Sequence, residues 1–296
     1  MERSRTIIIL LILISTVATA HSSERAKEIL TTILESRPAP SRETVKKDPV
    51  DEREESVSKR DTVKTEDAAK KEQSIEKPAA IPSPDMILFK TGIALYNSSL
   101  YEASLKKFTD LRTEYPQSPL KDIATIWAGK INLTLRKPDS AITEFKQIKE
   151  DSGEYPAALY YLGESQLMKG ASIQAIEYYY KISSQFPEYE LADKALIKLS
   201  RTYLSVGKGD QSLNAAIKIV KYYPDRDTID DAYYFIGKVF EKDPVLKDIE
   251  VARKIYRIFL QKAKDKNNAH FWNSPLKRRV QKDLNYLEAT FFNMEQ

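Results

Sequence analysis

Residues 156–189 read PAALYYLGESQLMKGASIQAIEYYYKISSQFPEY, and their apolar side chains recur at the spacing of two short amphipathic helices. The pattern predicts a first helix around residues 159–168 and a second helix around residues 173–184. Lys169 and Gly170 fall between the two, where a glycine allows the chain to turn sharply. The stretch therefore predicts a helical hairpin.

Small residues mark the places where the two helices of this hairpin approach each other. Gly163 and Ala175 lie 12 positions apart, one on each predicted helix, and Tyr179 shares a face with Ala175 because it follows by four. Pro187 ends the second helix, since proline has no amide donor and its ring clashes with the preceding turn. This order of small residue, small residue, aromatic residue and proline resembles the tetratricopeptide repeat (TPR) signature.

The same pattern recurs along the second part of the chain. The first-helix small residue, at spacings of 37, 34, 37 and 37 positions, is Gly92, Gly129, Gly163, Ser200 and Gly237. The second-helix small residue is Ser104, Ala141, Ala175, Ser212 and, after three extra positions, Ala252. The residue four further on is Phe108, Phe145, Tyr179, Ala216 and Tyr256, and the proline recurs as Pro116, Pro187 and Pro224. These series predict an all-α domain over residues 85–296, a right-handed TPR superhelix of about five stacked hairpins.

A last helix is predicted to cap the superhelix. Ser274 is expected as its N-cap, with Pro275 at the first helical position, where a missing amide donor costs nothing. One apolar stripe follows at helical spacing, formed by Leu276, Val280, Leu284, Leu287 and Phe291. The cationic residues 277–282 are interpreted as a solvated face.

The first twenty residues have the pattern of a secretory signal peptide. Arg3 and Arg5 precede the apolar run of residues 7–14, and Ala18 and Ala20 supply small residues at the cleavage position. The run is shorter than the roughly 20 residues of a spanning helix, so the mature chain is predicted to begin at His21 and to lack a transmembrane segment. The sequence has no cysteine, which excludes disulfides and a lipid-bearing N-terminal cysteine. We therefore expect a periplasmic protein.

Two further segments separate the signal peptide from the hairpins. Residues 21–36 are predicted to form a short amphipathic helix or the start of a tail, and as a helix would place Ile29, Leu30, Ile33 and Leu34 on one stripe. Residues 37–84 have no aromatic side chain and carry charges of both signs throughout. Such a composition cannot bury enough apolar surface to fold, so this segment is predicted to be a disordered charged linker spanning about 40 Å.

The linkers between hairpins are similar to those of one branch of TPR proteins. Each aromatic-proline pair is followed by an alanine eight positions after the proline, as in Tyr223, Pro224 and Ala232. This pattern resembles the bacterial envelope families of BamD, which acts in outer-membrane protein assembly, and of YbgF, which is associated with Tol–Pal. Five hairpins and a last helix are similar to BamD, whereas the absence of a lipidated cysteine is closer to YbgF. YbgF has a trimerising coiled coil for which residues 23–36 are too short, so the two assignments stay open.

Residue types argue against catalysis. The chain has only His21 and His270, without a metal-ligand spacing between them, and its eight glycines form no phosphate-binding loop. Asp230 and Asp231 adjoin a predicted helix start, where acidic residues complement the helix dipole. A net charge of +4 on 90 charged residues does not indicate nucleic-acid binding. The sequence predicts a non-enzyme without metal or cofactor.

Known TPR domains use two positions of each first helix to bind partners, and the resemblance implies the same here. These positions lie three before and one after the first-helix small residue. We define the groove set as the eight residues at these positions that are predicted to contact a partner: Phe89, Ile126, Lys130, Tyr160, Glu164, Arg201, Tyr234 and Lys238. The mixture of apolar and mostly basic side chains predicts a peptide or helix with apolar anchors and acidic character as the ligand.

The resemblance leaves three functional hypotheses. The first is a BamD-like interaction scaffold in outer-membrane protein assembly or envelope maintenance, compatible with association with an outer-membrane complex. The second is a YbgF-like adaptor of the Tol–Pal and cell-division machinery, which would link envelope constriction to wall synthesis. The third is an accessory subunit of an envelope enzyme. In each case the partner is a protein of the bacterial cell envelope.

Overall fold

The computed structural model describes residues 28–29, 31 and 82–292. Within residues 82–292 the chain forms twelve helices and no strand. The helices are α1 (Pro84–Asn97), α2 (Tyr101–Glu114), α3 (Lys121–Thr134), α4 (Pro138–Phe145), α5 (Tyr155–Met168), α6 (Ser172–Gln185), α7 (Ala192–Ser205), α8 (Gly209–Tyr222), α9 (Ile229–Lys242), α10 (Ile249–Lys262), α11 (Ala269–Trp272) and α12 (Lys277–Leu287). A π-helical turn over Glu288–Phe292 ends the described chain.

The helices pair into the five predicted hairpins, α1–α2 to α9–α10, and each hairpin packs on the next. Each hairpin is too small to bury its own apolar face, so stacking provides the core. The buried side chains form three clusters along the array, the largest of which extends from α5 to α12. The predicted helical TPR solenoid is confirmed. No helix in the described ranges has the length and apolarity needed to cross a membrane.

Small residues set the distance between the two helices of a hairpin. Gly92 lies against the Phe108 ring, and Gly129 lies against the Phe145 ring in the same way. In the first hairpin, Ser104 Oγ also donates a hydrogen bond of 2.7 Å to the Gly92 carbonyl oxygen. The aromatic ring fills the space that a first-helix side chain would otherwise take.

The fourth and fifth hairpins depart from this arrangement as their sequences predict. Ser200 replaces the glycine in the fourth, and Ser212 Oγ donates a hydrogen bond of 2.8 Å to its carbonyl oxygen, while the small Ala216 leaves room for the serine. In the fifth, the three extra residues precede α10, and the Tyr256 ring still lies against Gly237. Asp248 caps α10 by accepting a hydrogen bond of 3.0 Å from the Val251 amide.

A repeated hydrogen bond joins consecutive hairpins. A hydroxyl in the linker donates to an aspartate in the first turn of the preceding first helix: Ser118 to Asp85 at 2.6 Å, Ser152 to Asp122 at 2.6 Å and Thr228 to Asp193 at 2.8 Å. Ser274 makes the same kind of bond to Asp230. Pro156 occupies the equivalent position of the third hairpin, where the series is interrupted. We call these four pairs the hydroxyl–aspartate ladder.

The C-terminal helix differs from its prediction at both ends. It begins at Lys277 rather than after a Ser274 cap, because the Ser274 hydroxyl is engaged with Asp230 and accepts the Leu276 amide at 3.0 Å. Val280, Leu284 and Leu287 are buried as expected, and they pack α12 against the last hairpin. Phe291 was expected in the same stripe but lies exposed in the π-helical turn.

The N-terminal predictions fall mostly outside the described residues. The signal peptide (1–20) and most of the linker (37–84) are not described, and Pro84 is already helical. Of residues 21–36, Glu28, Ile29 and Thr31 are described, and all three are helical. The short amphipathic helix or tail therefore stays a prediction, with helical conformation at three of its positions.

Candidate partner-binding surface

The structure places the groove set on first helices of the five hairpins, at equivalent positions of α1, α3, α5, α7 and α9. The eight side chains differ in accessibility and in their partners. Phe89, Lys130, Tyr160, Glu164 and Lys238 are half-buried, Ile126 and Tyr234 are buried, and Arg201 is exposed. Whether they bind a partner stays a prediction.

At the N-terminal end, the groove set is engaged in packing within the hairpins. Phe89 makes an edge-to-face contact with Phe108, with ring centroids 5.6 Å apart. Ile126 belongs to the cluster of the second and third hairpins. Lys130 Nζ lies 3.8 Å from the centre of the Trp127 ring, and burial lowers the pKa of its ammonium group. The Trp127 ring therefore stabilises this cation.

The middle of the groove set is a connected group of polar side chains. Tyr179 donates a hydrogen bond of 2.6 Å from its hydroxyl to Glu164, and the same carboxylate oxygen lies 2.8 Å from Lys198 Nζ on α7. Tyr160 packs edge-to-face on Tyr179, with centroids 5.8 Å apart. Burial, followed by the nearby Glu164 charge, raises the pKa of Tyr160 above its usual range. Tyr160 therefore remains a neutral hydroxyl.

Arg201 is the exposed cation of the set. Its guanidinium lies 5.3 Å from the centre of the Phe235 ring on α9. Asp231, in the first turn of the same α9, is half-buried, and burial together with neighbouring Asp230 raises its pKa to about 6. Arg201 and Lys198 act in the opposite direction on that carboxyl. Lys198 and Asp231 are not among the predicted groove residues, because neither lies at the two groove positions of known TPR domains.

At the C-terminal end, helix α12 covers the groove set. Tyr234 is 4% exposed and donates a hydrogen bond of 3.3 Å to Asp283 of α12, and Arg279 lies 5.5 Å from the centre of its ring. Lys238 Nζ lies 2.7 Å from Glu241 and 3.2 Å from Asp283, so its charge is already compensated. These two residues support the end of the solenoid, and Tyr160, Glu164 and Arg201 form the more accessible part of the set.

A separate cleft lies between the linkers that follow the third and fourth hairpins. A cleft of about 600 Å³ opens there, lined in part by Pro187, Glu188, Tyr222 and Arg226. Tyr223 also lines the cleft and donates a hydrogen bond of 2.8 Å to the Pro187 carbonyl oxygen. The aromatic-proline pairs that resemble the envelope families thus pack linker against linker. No sequence pattern predicted a cleft at this place.

Metal-ligating groups do not converge anywhere in the described ranges. His270 lies on α11, exposed, with Nε2 3.1 Å from the carbonyl oxygen of Asp225. This contact ties α11 to the linker before α9.

Comparison with known proteins supports the repeat assignment. The tetratricopeptide repeat family model matches residues 157–189, which comprise most of α5 and all of α6. No curated protein matches the chain in sequence.

Solved structures with similar folds share little sequence with the chain. The crystal structure of MamA protein has a TM-score of 0.51 at 20% identity, over 62% of this chain and 93% of that chain. A tetratricopeptide repeat protein from Parabacteroides merdae has a TM-score of 0.53 at 12% identity, over 69% of this chain and 79% of that chain. At these identities the likeness concerns the fold. The described hairpins therefore form a helical solenoid of tetratricopeptide type, in which residues 157–189 are a tetratricopeptide repeat in sequence as well as in fold.

Proposed function

We propose that the protein is a non-catalytic interaction scaffold of the bacterial periplasm that binds a protein partner through the first helices of its middle hairpins. The observation that carries this proposal is the arrangement on α5 and α7, where an exposed Arg201 lies beside a half-buried Tyr160. A solenoid of stacked hairpins presents an extended concave surface for such binding.

The accessible part of the groove set suits a peptide or helix with an apolar anchor and an acidic group. Tyr160 offers an aromatic face together with a hydroxyl that stays neutral, while Arg201 offers guanidinium donors to a carboxylate. Glu164 is already bound to Lys198 and Tyr179, so it repels an acidic ligand less than a free carboxylate would. These side chains are therefore suited to binding a protein partner.

The cellular role that we propose is BamD-like, in outer-membrane protein assembly or envelope maintenance. The support for it is the resemblance of the linker motif and of the five hairpins followed by a last helix. A YbgF-like adaptor between envelope constriction and wall synthesis, or an accessory subunit of an envelope enzyme, would use the same surface with a different partner. Localisation beyond the inner membrane rests on the signal-peptide pattern of residues 1–20.

Photo-crosslinking in intact cells tests this function. A benzophenone amino acid replaces Tyr160, and the matched control carries it at Tyr180, which is 55% exposed on the second helix of the same hairpin. We expect protein adducts from position 160 that are absent from position 180. Barrel-assembly components, Tol–Pal components or wall enzymes in those adducts correspond to the three roles. Equal adducts from the two positions, or none from position 160, would contradict binding through the first helices.

A second variant checks the charge requirement. Replacing Arg201 with Glu reverses an exposed cation, and because Arg201 also lies near Phe235 and Asp231, far-ultraviolet circular dichroism checks that the fold is retained. We expect the adducts from position 160 to fall at least tenfold if an acidic partner group pairs with Arg201. Replacing the exposed Lys208 with Glu makes the same charge change in the turn between α7 and α8, outside the groove set. This control should leave the adducts unchanged.

A further inference from the structure

Ile29 is a buried residue that lies far in sequence from the hairpins. It is helical and 2% exposed, whereas its neighbours Glu28 and Thr31 are helical and exposed. A short helix surrounded by solvent leaves its apolar side chains largely accessible, so a more distant part of the molecule must cover Ile29. Its burial is therefore a tertiary contact.

The hydrophobic cluster that contains Ile29 limits the covering surface to the part of the solenoid from α5 to α12. Ile29 belongs to the large cluster of α5–α12 and to neither of the clusters in the first hairpins. That cluster also contains Ile197 and Tyr234, which are 5% and 4% exposed, and Tyr160 packs against it. Tyr160, Ile197 and Tyr234 occupy the same position of α5, α7 and α9, so one row of first-helix side chains shares a cluster with Ile29.

We infer that residues 23–36 form an intramolecular ligand that docks along α5, α7 and α9, anchored by Ile29. The sequence supplies the required shape, because Ile29, Leu30 and Ile33 fall on one apolar stripe at helical spacing. The exposure of Glu28 and Thr31 beside the buried Ile29 fits a helix that docks through one face. Helix-in-groove recognition uses apolar anchors at this spacing.

The connecting chain permits this docking. Residues 37–84 have the composition of a coil with a span of about 40 Å, which places few constraints on where residues 23–36 come to lie. A short helix of this length is marginal in water, so its helical state depends on the apolar surface that it covers. Tethering keeps the segment at an effective concentration in the millimolar range.

The consequence concerns any partner that uses the same row. Such a partner has to displace residues 23–36. Its apparent affinity is therefore its intrinsic affinity multiplied by the fraction of molecules in which the row is free. The segment thus raises the partner concentration needed for binding. This contact belongs to the free protein, whichever partner the surface recruits.

Hydrogen exchange on the purified chain from His21 tests the docking. We expect the amides of residues 23–36 to be protected, and replacing Ile29 with Asp to reduce that protection at least tenfold, because a charged side chain cannot enter the apolar cluster. The matched control places the same charge at the exposed Thr31 and should retain protection. Equal protection in the Ile29→Asp and Thr31→Asp variants, or no protection in the parent chain, would overturn the inference. Retained exchange behaviour of α5–α10 shows that the solenoid stays folded.

Crosslinking from the buried position locates the contact. A benzophenone amino acid in place of Ile29 should form intramolecular adducts with peptides from α5, α7 or α9. Adducts confined to the second helices α6, α8 or α10 would overturn the proposed location. Adducts between two copies of the chain would overturn the intramolecular arrangement, and a partner adduct from position 160 would still support the proposed function in either case.

Discussion

The ring of Tyr179 lies against the bare α-carbon of Gly163, where a β-carbon would come within 2.6 Å of the ring. The ring is fully buried, and its hydroxyl donates a hydrogen bond of 2.6 Å to Glu164, the residue that follows Gly163 in α5. The pair therefore links the closest approach of two helices to a carboxylate of the groove set. It also fixes the orientation of Glu164 toward Lys198.

Replacing Gly163 with Ala should destabilise the protein by up to about 2 kcal/mol. Alanine favours the helix by about 1 kcal/mol over glycine, but overpacking the buried ring costs about 1–3 kcal/mol and forces the Tyr179 ring to shift. Urea unfolding followed by circular dichroism measures the difference. The same substitution at Gly153, where a β-carbon meets nothing within 4 Å, is the control and should change stability by less than about 0.5 kcal/mol. A gain in stability for Gly163→Ala would show that the ring moves without cost.

The hairpins could be predicted from the sequence because their signal is local. A small residue such as Gly163 and an aromatic residue such as Tyr179 recur at a nearly constant separation, and stacking follows from the apolar faces. The accessibility of the groove set could not be predicted, because it depends on distant residues. Lys238 was expected to contribute to a basic row, yet its partner Asp283 lies 45 residues further along the chain.

The hydroxyl–aspartate ladder shows the same limit. Its aspartates lie seven residues before each first-helix small residue, which is a readable spacing, as Asp193 and Ser200 illustrate. Their hydroxyl partners lie in linkers of variable length, 30 to 35 residues further along in the first three pairs. Only the stacked structure brings each pair together. The sequence therefore identifies the aspartates but not the hydroxyl groups that bond to them.

Replacing Thr228 with Val should destabilise the protein by about 1–3 kcal/mol. Valine preserves the shape of the side chain but removes the hydroxyl that donates to Asp193, and Asp193 is almost fully buried between hairpins. Denaturant unfolding at pH 7 provides the measurement. Thr143→Val removes an exposed hydroxyl that bonds within its own helix, and it should cost much less. Equal losses for the two variants would indicate that the ladder does not stabilise the stack.

The stability gained on replacing Asp231 with Asn should depend on pH. Burial raises the folded-state pKa of this carboxyl from 3.8 to about 6, so the ionised form is disfavoured in the folded protein. The cost of ionisation is absent below pH 4, grows between pH 4 and 6 and is complete above pH 6. Because the group is partly exposed and solvent screens it, we expect Asp231→Asn to stabilise the protein by about 1 kcal/mol at pH 8 and to change little at pH 3.5.

Thermal unfolding at the two pH values tests that sign. Asp225→Asn is the matched control, because Asp225 is exposed in the linker before α9 and is not among the charges that shift the pKa of Asp231. It should leave the difference between pH 8 and pH 3.5 close to that of the parent protein. A stabilisation by Asp231→Asn that is larger at pH 3.5 than at pH 8 would contradict a raised pKa.

Gly209 and Asp243 should behave as one unit in a double-mutant cycle. A β-carbon on Gly209 would collide with the carboxylate of Asp243, which is buried and accepts hydrogen bonds of 3.0 and 2.9 Å from the amides of Val245 and Leu246. We expect Gly209→Ala to cost about 1–3 kcal/mol by overpacking and Asp243→Ala about 1–3 kcal/mol by leaving two amides unpaired. In the Asp243→Ala background the collisions with the carboxylate are gone and only the β-carbon of residue 243, at 2.8 Å, still crowds the new methyl group, so adding Gly209→Ala should cost less than in the parent protein. The coupling energy from four unfolding curves would then exceed about 1 kcal/mol, whereas additive losses would mean that the carboxylate moves aside without losing its hydrogen bonds.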